Sequence, residues 1–439
     1  MEWPITLFII LGSLLILILS GFPIAFCFFS LCMVGVIIFW GGISGFEQYI
    51  LSVSSSVTKF ELVPVVLFIL MGAILFESKV GTNLINTVNK CLGRLPGRLG
   101  IVSVITGTIF AALSGSSMAS TAVLGSVLTP EMEKYGYRKA MSLGSIMAGG
   151  SLAMMIPPSG LGVFIAVLAK CSVGAFLIGI IIPGLILAFL FGAYIFLRSW
   201  LWPEEAPPYE TPSVPLSEKL MDIVKYVLPL VVVIFLVTGI IMIGIATPSE
   251  AAATGCLGAF AVSALYKGVN WRTVKKSTVT TVRLSGMILL IMAASSAFTQ
   301  VLAFSGVNQG MTQWIMHLQV PPIVTVIGIL LIVMLLGCFM PSMGIVVIVL
   351  PLFGPIVTAL HLDMVWFAIL IMVNCEMGAL TPPFGNVLFV MKGVAPADTT
   401  MVDVYKAALP LCIINIIVMV IILLFPATTL WLPGITLAK

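Results

Sequence analysis

The sequence has few of the residues on which enzymes and metalloproteins depend. Charged residues make up 8% of its 439 residues, and His317 and His361 are its two histidines. Its eight cysteines form no Cys-x-x-Cys pair, which argues against a zinc site or a disulfide framework. The net charge of +4 is small and spread along the chain, so no nucleic-acid partner is expected. No catalytic residue, cofactor or transition metal is predicted.

Apolar residues, in contrast, are abundant. They account for 60% of the chain, and the mean hydropathy is +1.23, values that a water-facing surface does not sustain. Because about 20 apolar residues cross a bilayer, the content allows roughly ten crossings. The first apolar run has no basic residue before it, so it is interpreted as a retained helix and not a cleaved signal. The predicted fold class is an all-α polytopic membrane protein embedded in a lipid bilayer.

One stretch of the chain recurs with an offset of 225 residues, as from Ser117 to Ser342. Matches between apolar residues arise easily by chance, but matches between Pro, Gly and Ser are harder to dismiss. Two structural repeats are therefore predicted. The identical pairs are Ser117/Ser342, Met118/Met343, Pro130/Pro355, Ile146/Ile371, Met147/Met372, Pro157/Pro382, Pro158/Pro383, Gly160/Gly385 and Phe164/Phe389.

Basic residues indicate that the two repeats are inverted. Six flank the first pair of short apolar segments, at 90–98 and 134–139, whereas the equivalent ends of the second pair, around 306–322 and 359–364, carry no Lys or Arg. By the positive-inside rule the first pair enters from the cytoplasm and the second from the opposite face, with both termini outside. Inverted repeats with broken helices are typical of secondary transporters.

The chain is predicted to divide at breaks in hydropathy and at Pro-rich or Gly-rich segments. A double Pro beside a Gly pair should break a membrane helix. The predicted first half has scaffold helices at 1–59 and repeat 1 at 60–202, which contains a re-entrant hairpin at about 99–133 and a broken helix at 140–168. A cytoplasmic linker follows at 203–223. The second half has scaffold helices and an amphipathic arm (267–283) at 224–283, and repeat 2 at 284–439, which contains a re-entrant hairpin at about 322–360 and a broken helix at 364–391.

Non-helical backbone is predicted at four places that should converge. These are tip 1 (Ser114–Ser117), tip 2 (Met340–Gly344), break 1 (Gly149–Gly160) and break 2 (Asn374–Asn386). At membrane depth such backbone is tolerated only inside protein or beside a wet cavity. Its carbonyl groups can hold a monovalent cation, and helix N-termini favour an anion. Close helix packing is the competing interpretation of the Ser and Gly residues, but their recurrence in both repeats favours an ion or substrate site.

Glu376 is the only acidic residue of break 2. A carboxylate at mid-membrane costs about 2.5–3.5 kcal/mol or more, which makes it a functional candidate. Two interpretations stay open: a proton or cation site, or a partner for a buried basic residue such as Arg283. Asn374 is the better candidate for the binding site, because a neutral amide orients an ion without a permanent charge.

Several motifs together resemble a known transporter family. They are Ser114-Gly115-Ser116-Ser117-Met118-Ala119, Pro130-Glu131-Met132, Ile156-Pro157-Pro158-Ser159, Gly337-Cys338-Phe339-Met340, and the block from Asn374 to Asn386 that contains Thr381-Pro382-Pro383-Phe384-Gly385. Over nearly its whole length the chain resembles the large membrane subunit of the tripartite ATP-independent periplasmic (TRAP) transporters, within the ion transporter superfamily. It departs from the family pattern at Pro341, where an acidic residue is frequent, and at Ala153, where glycine is common.

The resemblance implies a sodium-driven elevator symporter for small organic acids in the inner membrane of a bacterium or archaeon. It also implies two partners, a small four-helix membrane subunit and a periplasmic substrate-binding protein. It places one sodium site at Ser114, Ser116, Ser117, Gly150 and Ser151, and the other at Gly337, Met340, Ser342, Thr381 and Pro382. Substrate would lie between the tips, near Pro158, Ser159, Gly385 and Asn386. Asn374, selected above for its neutral amide, completes the predicted substrate-binding residues.

Two other functions are kept open. A stand-alone organic-anion transporter or a Na⁺/H⁺ exchanger of the same superfamily would share the repeats and the broken helices. A membrane-embedded enzyme or a purely structural subunit belongs to a different class. An enzyme should bring several His, Asp, Glu or Cys residues together in the membrane, whereas Glu376 stands alone within its break.

Overall fold

The computed structural model describes residues 2–78, 80–209, 214–266 and 268–437, and for Ile43, Leu113 and Ser114 it describes the backbone alone. Over these residues the regular structure is helical, and no strand occurs, which confirms the predicted all-α class. Lys267, at the start of the predicted amphipathic arm, and residues 210–213 of the predicted linker lie outside the described residues.

The helices follow one another with short connections. Those of the first half are α1 (Trp3–Leu19), α2 (Ile24–Phe39), α3 (Gly45–Val57), α4 (Val63–Glu77), α5 (Val80–Cys91), α6 (Arg98–Ser114), α7 (Ser117–Lys134), α8 (Lys139–Ser151), α9 (Gly160–Leu168), α10 (Val173–Gly179) and α11 (Ile181–Leu201). Those of the second half are α12 (Leu216–Asp222), α13 (Leu228–Ile234), α14 (Ile240–Met242), α15 (Pro248–Leu265), α16 (Trp271–Phe304), α17 (Val307–His317), α18 (Pro322–Gly337), α19 (Ser342–Ala359), α20 (Met364–Leu380), α21 (Asn386–Val394), α22 (Met401–Leu424) and α23 (Ala427–Leu437).

The described residues include six helical segments that are long and apolar enough to cross a membrane. Five shorter apolar helices accompany them. Together they make the chain a multi-pass membrane protein, as predicted. The six segments are Phe60–Glu77, Val173–Leu201, Leu216–Met242, Trp271–Phe304, Ser342–Ala359 and Met401–Leu424.

Two helix–turn–helix hairpins occupy the positions of the short apolar pairs. Helices α6 and α7 meet at tip 1, and α18 and α19 meet at tip 2. The four helices have 16 to 18 residues each, which at 1.5 Å per residue is about 24–27 Å, less than the ~30 Å hydrocarbon core. Each hairpin packs on the helix that ends at a break, α8 for the first and α20 for the second. The chain thus builds the same local arrangement twice.

Both broken helices stop at the Pro-rich segments. Helix α8 ends at Ser151 and α9 begins at Gly160, while α20 ends at Leu380 and α21 begins at Asn386. A proline lacks the donor that continues a helix and restricts the residue before it. The bonds Pro157–Pro158 and Pro382–Pro383 are both cis.

The centre of the molecule is formed by these two broken helices. Every residue of α8 from Met141 to Ser151 and every residue of α20 from Trp366 to Leu380 is buried. A helix that is apolar around its whole circumference belongs in the interior. Polar groups on α8 and α20 are consequently shielded from both lipid and water.

Helix α16 joins two parts that the sequence separates. The predicted boundary between residues 283 and 284 falls inside this continuous helix of 34 residues. Its first turns carry the predicted amphipathic arm, where Lys276 Nζ lies 3.2 Å from Glu77 Oε2 at the end of α4. Farther along, α16 packs on α2, α3, α4 and α19.

Candidate functional site

A hydroxyl-to-carbonyl hydrogen bond holds each hairpin tip against its broken helix. Ser117 Oγ donates to Ser151 O at 3.2 Å, and Ser342 Oγ donates to Cys375 O at 3.3 Å. The two serines are 2% and 8% exposed. A donating hydroxyl keeps lone pairs on its oxygen, so each pair can offer two oxygens to a hard cation. Cys375 is a partner that the sequence did not predict, because it contributes through its backbone.

Tip 1 is rich in hydroxyl groups. Ser116 caps α7 by accepting a hydrogen bond from Ala119 N at 3.3 Å. A Cβ placed on Gly150 would lie 2.0 Å from Thr121 Oγ1, so α7 and α8 touch at this glycine. Thr121 is fully buried, and its hydroxyl has no hydrogen-bond partner among the described residues. The spacing of one helical turn from Ser117 to Thr121 was the sequence signal that could have identified it.

Ser114 is described through its backbone alone, unlike the other predicted residues of tip 1. Its backbone ends α6, and its side chain lies outside the described atoms. Gly115 follows with φ +58, a left-handed conformation that glycine adopts without steric cost. A Cβ on Gly115 would lie 3.7 Å from Gly160 N. Tip 1 therefore lies against the N-terminus of α9.

Tip 2 relies more on backbone groups. Met340 is 6% exposed. A Cβ on Gly337 would lie 3.0 Å from Gly378 Cα, so α18 and α20 approach at their backbones. Thr381 Oγ1 donates to Met377 O at 2.7 Å and lies 3.8 Å from Cys412 Sγ. The hydroxyl of Thr381 thus has its partners on α20 and α22. Gly337 allows α18 to pack closely on α20. Pro382 follows Thr381 in the cis Pro-Pro pair.

The predicted substrate residues divide into two groups. Ser159 caps α9, where its Oγ accepts from Gly162 N at 3.1 Å, and Pro158 precedes it in the cis pair. Gly385 is the N-cap residue of α21 and Asn386 its first residue, but no side chain caps this helix. Helix N-termini favour negative charge, so both breaks present a positive helix end.

Asn374 is placed differently. Its Nδ2 donates to Leu330 O on α18 at 2.8 Å, and its Oδ1 has no partner among the described residues. It therefore binds the first helix of the second hairpin to α20. The structure does not group it with Gly385 and Asn386, because it lies in the middle of α20 and they lie beyond its end.

Glu376 is buried at the contact between the two halves. It is 0% exposed, and neither carboxyl oxygen has a hydrogen-bond partner in the described part of the chain. The Ser151 hydroxyl on α8 donates to Ala148 O at 3.1 Å, so its hydrogen bond stays within its own helix. The interpretation of Glu376 as a partner of Arg283 is wrong, because Arg283 lies exposed on α16.

The positions of Ser151 and Glu376 are equivalent under the 225-residue offset. The Ser151 carbonyl accepts the bond from tip 1, and Glu376 directly follows Cys375, whose carbonyl accepts the bond from tip 2. The site thus consists of two sets of buried polar groups, one on α8 and one on α20, and these two helices are in contact.

This geometry was compared with known proteins. The family model described as "Tripartite ATP-independent periplasmic transporter, DctM component" matches residues 11–428. The chain belongs to this DctM family. Like the other DctM components, it is a transport permease and not an enzyme.

Several DctM proteins resemble the chain over most of its length. The C4-dicarboxylate TRAP transporter large permease protein DctM of Pseudomonas aeruginosa is 31% identical over 378 residues, 85% of this chain and 86% of that protein. The protein of the same description from Rhodobacter capsulatus is 30% identical over 97% of this chain and 98% of its own. The ectoine TRAP transporter large permease protein TeaC of Halomonas elongata is 27% identical over 97% and 98%.

Solved structures support the fold of this DctM component. The YdaH transporter of Alcanivorax borkumensis matches with a TM-score of 0.63 at 14% identity, over 87% of this chain and 88% of that one. MtrF of Neisseria gonorrhoeae matches with a TM-score of 0.61 at 14% identity, over 87% and 84%. At this identity the likeness concerns the arrangement of helices alone.

Proposed function

We propose that the chain is the translocating subunit of a TRAP importer that carries a small organic acid inward together with sodium ions. Family membership supports the class of transporter. The observation that carries the proposal is the matched pair of tip bonds, Ser117 Oγ to Ser151 O and Ser342 Oγ to Cys375 O. Relatives described as C4-dicarboxylate and ectoine permeases support a substrate that bears a carboxylate.

Sodium and substrate have complementary roles in this proposal. Sodium binds to oxygens at each tip and orders the hairpin against α8 or α20. The anionic substrate then binds between the N-termini of α9 and α21, each of which carries roughly half a positive charge. Each net positive charge moved inward contributes about 2.3 kcal/mol per 100 mV, which at 1.4 kcal/mol per decade is roughly a fifty-fold accumulation.

Movement is proposed to follow an elevator mechanism. The two hairpins and the two broken helices form two inverted repeats that slide as one body against the outer helices. The similar packing of α6 and α7 on α8 and of α18 and α19 on α20 supports this division. Helix α16, which packs on α2, α3 and α4, belongs to the static part.

The partners follow from the tripartite nature of the family. We infer a small four-helix membrane subunit that stabilises the outer helices and a periplasmic protein that delivers substrate. The setting is a bacterial or archaeal inner membrane with both termini on the periplasmic side. The basic residues at 90–98 and 134–139 then face the cytoplasm.

The test uses the chain reconstituted with both partners in liposomes. Ser117→Ala and Ser342→Ala each remove one proposed sodium ligand. Since a hydrogen-bonding group that meets a charge is worth about 1.5–3 kcal/mol, each should raise the half-saturating sodium concentration roughly tenfold or more. Ser126→Ala is the matched control, because Ser126 is an exposed serine of α7 whose hydroxyl donates to Val123 O within the helix. Normal sodium dependence in both tip variants would disprove the tip sites.

A second candidate function is supported by Glu376. A buried carboxyl group without a partner in the described residues suits a proton-exchanging transporter that works alone. Liposomes that contain this chain without the binding protein distinguish the two. Uptake or proton flux in that preparation favours the stand-alone carrier, and its absence, with uptake restored by both partners, favours the TRAP importer.

A further inference from the structure

A cavity far from the tips lies at the end of the molecule where basic residues gather. It has a volume of about 400 Å³ and is bounded by the loop before α6, the end of α11 and the linker from Pro203 to Tyr209. Arg98, Ser199 and Tyr209 contribute polar side chains to its wall. Neither the transport proposal nor the tips involve these residues.

Arg98 is an unusual residue at this place because it is charged and 6% exposed. Its Nη2 donates to Asn89 O, whereas Nε and Nη1 have no hydrogen-bond partner among the described residues. Arg98 takes part in none of the ion pairs found among the described residues. Within the described residues Arg98 therefore has no counter-charge, and a buried guanidinium without one is costly. The N–H groups on Nε and Nη1 and the charge of the guanidinium favour an anion in the cavity.

Other groups around the cavity favour the same kind of ligand. Helix α6 begins at Arg98 and has no acidic residue in its first turn, so its positive end is not neutralised locally. The hydroxyls of Ser199 and Tyr209 are buried and have no partner within the described ranges. Burial raises the pKa of Tyr209 to about 12, so its hydroxyl remains a donor at neutral pH. Glu131, which also acts on Tyr209, is exposed.

Ring contacts and hydrogen bonds hold the wall of the cavity in place. Tyr209 stacks on Tyr135 with ring centroids 3.7 Å apart, and the Arg98 guanidinium lies 5.5 Å from the Tyr209 ring centroid. The linker is held by Glu205, whose carboxylate pairs with Arg198 at 2.5 and 3.0 Å. Because Glu205 O also accepts from Arg138 N at 2.9 Å, the linker is fixed to two basic segments.

One glycine allows the cavity to form. Gly97 has φ +66, and a Cβ on it would lie 2.3 Å from Ser199 Oγ. Both its conformation and its contact exclude a side chain. The end of α11 can therefore approach the start of α6 and bring Ser199 beside Arg98.

We propose that this cavity binds a phosphate group and that the phosphate belongs to the headgroup of an anionic phospholipid. The planar fork of an arginine fits phosphate oxygens. Basic pockets between membrane helices on the cytoplasmic side suit acidic headgroups. Leu95, Trp200 and Pro203 line the same cavity, and they provide apolar surface for the glycerol part of a lipid. Inorganic phosphate offers the same oxyanion, so the two sources must be separated by experiment.

The experiment measures thermal unfolding of the purified full-length chain in detergent. The probes are dihexanoyl-phosphatidylglycerol, dihexanoyl-phosphatidylcholine and inorganic phosphate. The wild type should be stabilised by phosphatidylglycerol at concentrations at which the other two have little effect. Arg98→Gln should raise the half-saturating concentration roughly tenfold to a hundredfold, since it removes hydrogen bonds to a charged group. Arg138→Gln is the matched control, because Arg138 is an exposed arginine of the same face that pairs with Glu204 at 2.7 Å.

Each outcome decides the proposal. Equal responses of the wild type and Arg98→Gln, or no response of the wild type to any probe, would overturn it. Saturation by inorganic phosphate at the same concentration as by phosphatidylglycerol would overturn the lipid assignment and leave a free-phosphate site. Should Arg98→Gln not fold, Arg98→Lys replaces it: this variant keeps the charge without the fork, and wild-type affinity would disprove the role of the guanidinium. Native mass spectrometry of the wild type should show one bound phosphatidylglycerol.

Discussion

The two hairpins have the same helical framework but differ in the chemistry at equivalent positions. In the first, Ser151 and Thr121 supply buried hydroxyls. At the matching positions of the second, Glu376 supplies a carboxyl group and Val346 supplies no polar atom. The tips are therefore not interchangeable. Tip 1 has more neutral hydroxyl oxygens near it. Tip 2 has fewer hydroxyls, and the polar groups near it are backbone carbonyls and the Glu376 carboxyl group.

The contacts between hairpin and broken helix differ too. In the first half α6 meets α8 at Gly107 and Gly149, where a Cβ on Gly107 would lie 2.2 Å from Gly149 O. In the second half α18 meets α20 at Gly337 and Gly378. The positions equivalent to Gly107 and Gly149 hold Ile332 and Asn374. The two hairpins thus pack on α8 and α20 in a similar way, while the point of closest approach lies at different positions along the helices.

The largest effect is expected from placing a side chain at Gly149. A Cβ there would lie 2.3 Å from Ser103 O, and the backbone atom cannot rotate away. Gly149→Ala should cost roughly 1–3 kcal/mol or more, whereas Asn374→Ala at the equivalent position should cost about 1 kcal/mol through one lost hydrogen bond. Thermal unfolding of both purified variants tests the order. A Gly149→Ala protein as stable as the wild type would show that the close contact is unnecessary.

The next largest effect concerns Glu376 and Ser151, which occupy equivalent positions on α20 and α8. Glu376→Gln keeps the shape of the side chain and removes its ability to ionise, so the fold should be retained or stabilised. If Glu376 exchanges a proton during transport, the variant should lose the pH dependence of uptake. Ser151→Ala should keep that dependence, since it removes a hydroxyl and no titrating group. Uptake between pH 6 and pH 8 in liposomes is the measurement, and an unchanged pH profile in Glu376→Gln would assign Glu376 a structural role.

A smaller effect should separate the two proposed sodium sites. Thr121→Val removes a hydroxyl that has no partner in the described residues, so stability should be maintained while sodium affinity at tip 1 falls several-fold. Val346→Thr should act in the opposite direction at tip 2. Half-saturating sodium concentrations of the two variants and the wild type give the comparison. Identical values in all three would exclude both side chains from the ion sites.

The smallest effect is expected where the halves meet at the surface. Lys139 Nζ at the start of α8 lies 2.6 Å from Asp398 Oδ2 in the loop before α22, and the two side chains are 41% and 69% exposed. The hydrogen bond with Lys139 lowers the pKa of Asp398, and the same bond raises the pKa of Lys139. The stabilisation is therefore present at neutral pH. It is lost on acidification through the lowered pKa of Asp398, and in strong alkali through the raised pKa of Lys139.

Exposed pairs of this kind contribute little and are screened by salt. Asp398→Asn should therefore unfold at nearly the wild-type temperature at physiological salt and pH 7. A clear loss of stability would mean that this contact between the halves has more importance than its exposure implies. Thermal unfolding at low and high salt distinguishes the two results.

The sequence predicted features that depend on composition and on neighbouring residues. The membrane class follows from hydropathy, and the ends of α7 and α9 follow from Ser116 and Ser159, which cap their helices locally. The predicted boundary at residues 283 and 284 falls inside α16, because no proline lies between Trp271 and Phe304 to end the helix there. Local signals of this kind fix where a helix starts and stops.

Contacts between distant helices could not be predicted in the same way. The bond from Asn374 to Leu330, the approach of Thr121 to Gly150 and the burial of Arg98 all depend on how each helix is rotated about its axis. Rotation is set by packing against several partners at once. A sequence without its tertiary contacts therefore identifies the polar residues and leaves their partners open.

Helix α16 is longer than the hydrocarbon core of a bilayer is thick. Its 34 residues extend for about 51 Å at 1.5 Å per residue, well beyond a ~30 Å hydrocarbon core. The exposed basic residues Arg272, Lys275 and Lys276 suit the headgroup interface, so we expect the first turns of α16 to stay there when the bilayer becomes thinner or thicker. Tilt of the helix is one way to accommodate such a change in thickness. Through its packing on α2, α3, α4 and α19, such a tilt would pass hydrophobic mismatch at the lipid boundary to the centre of the molecule.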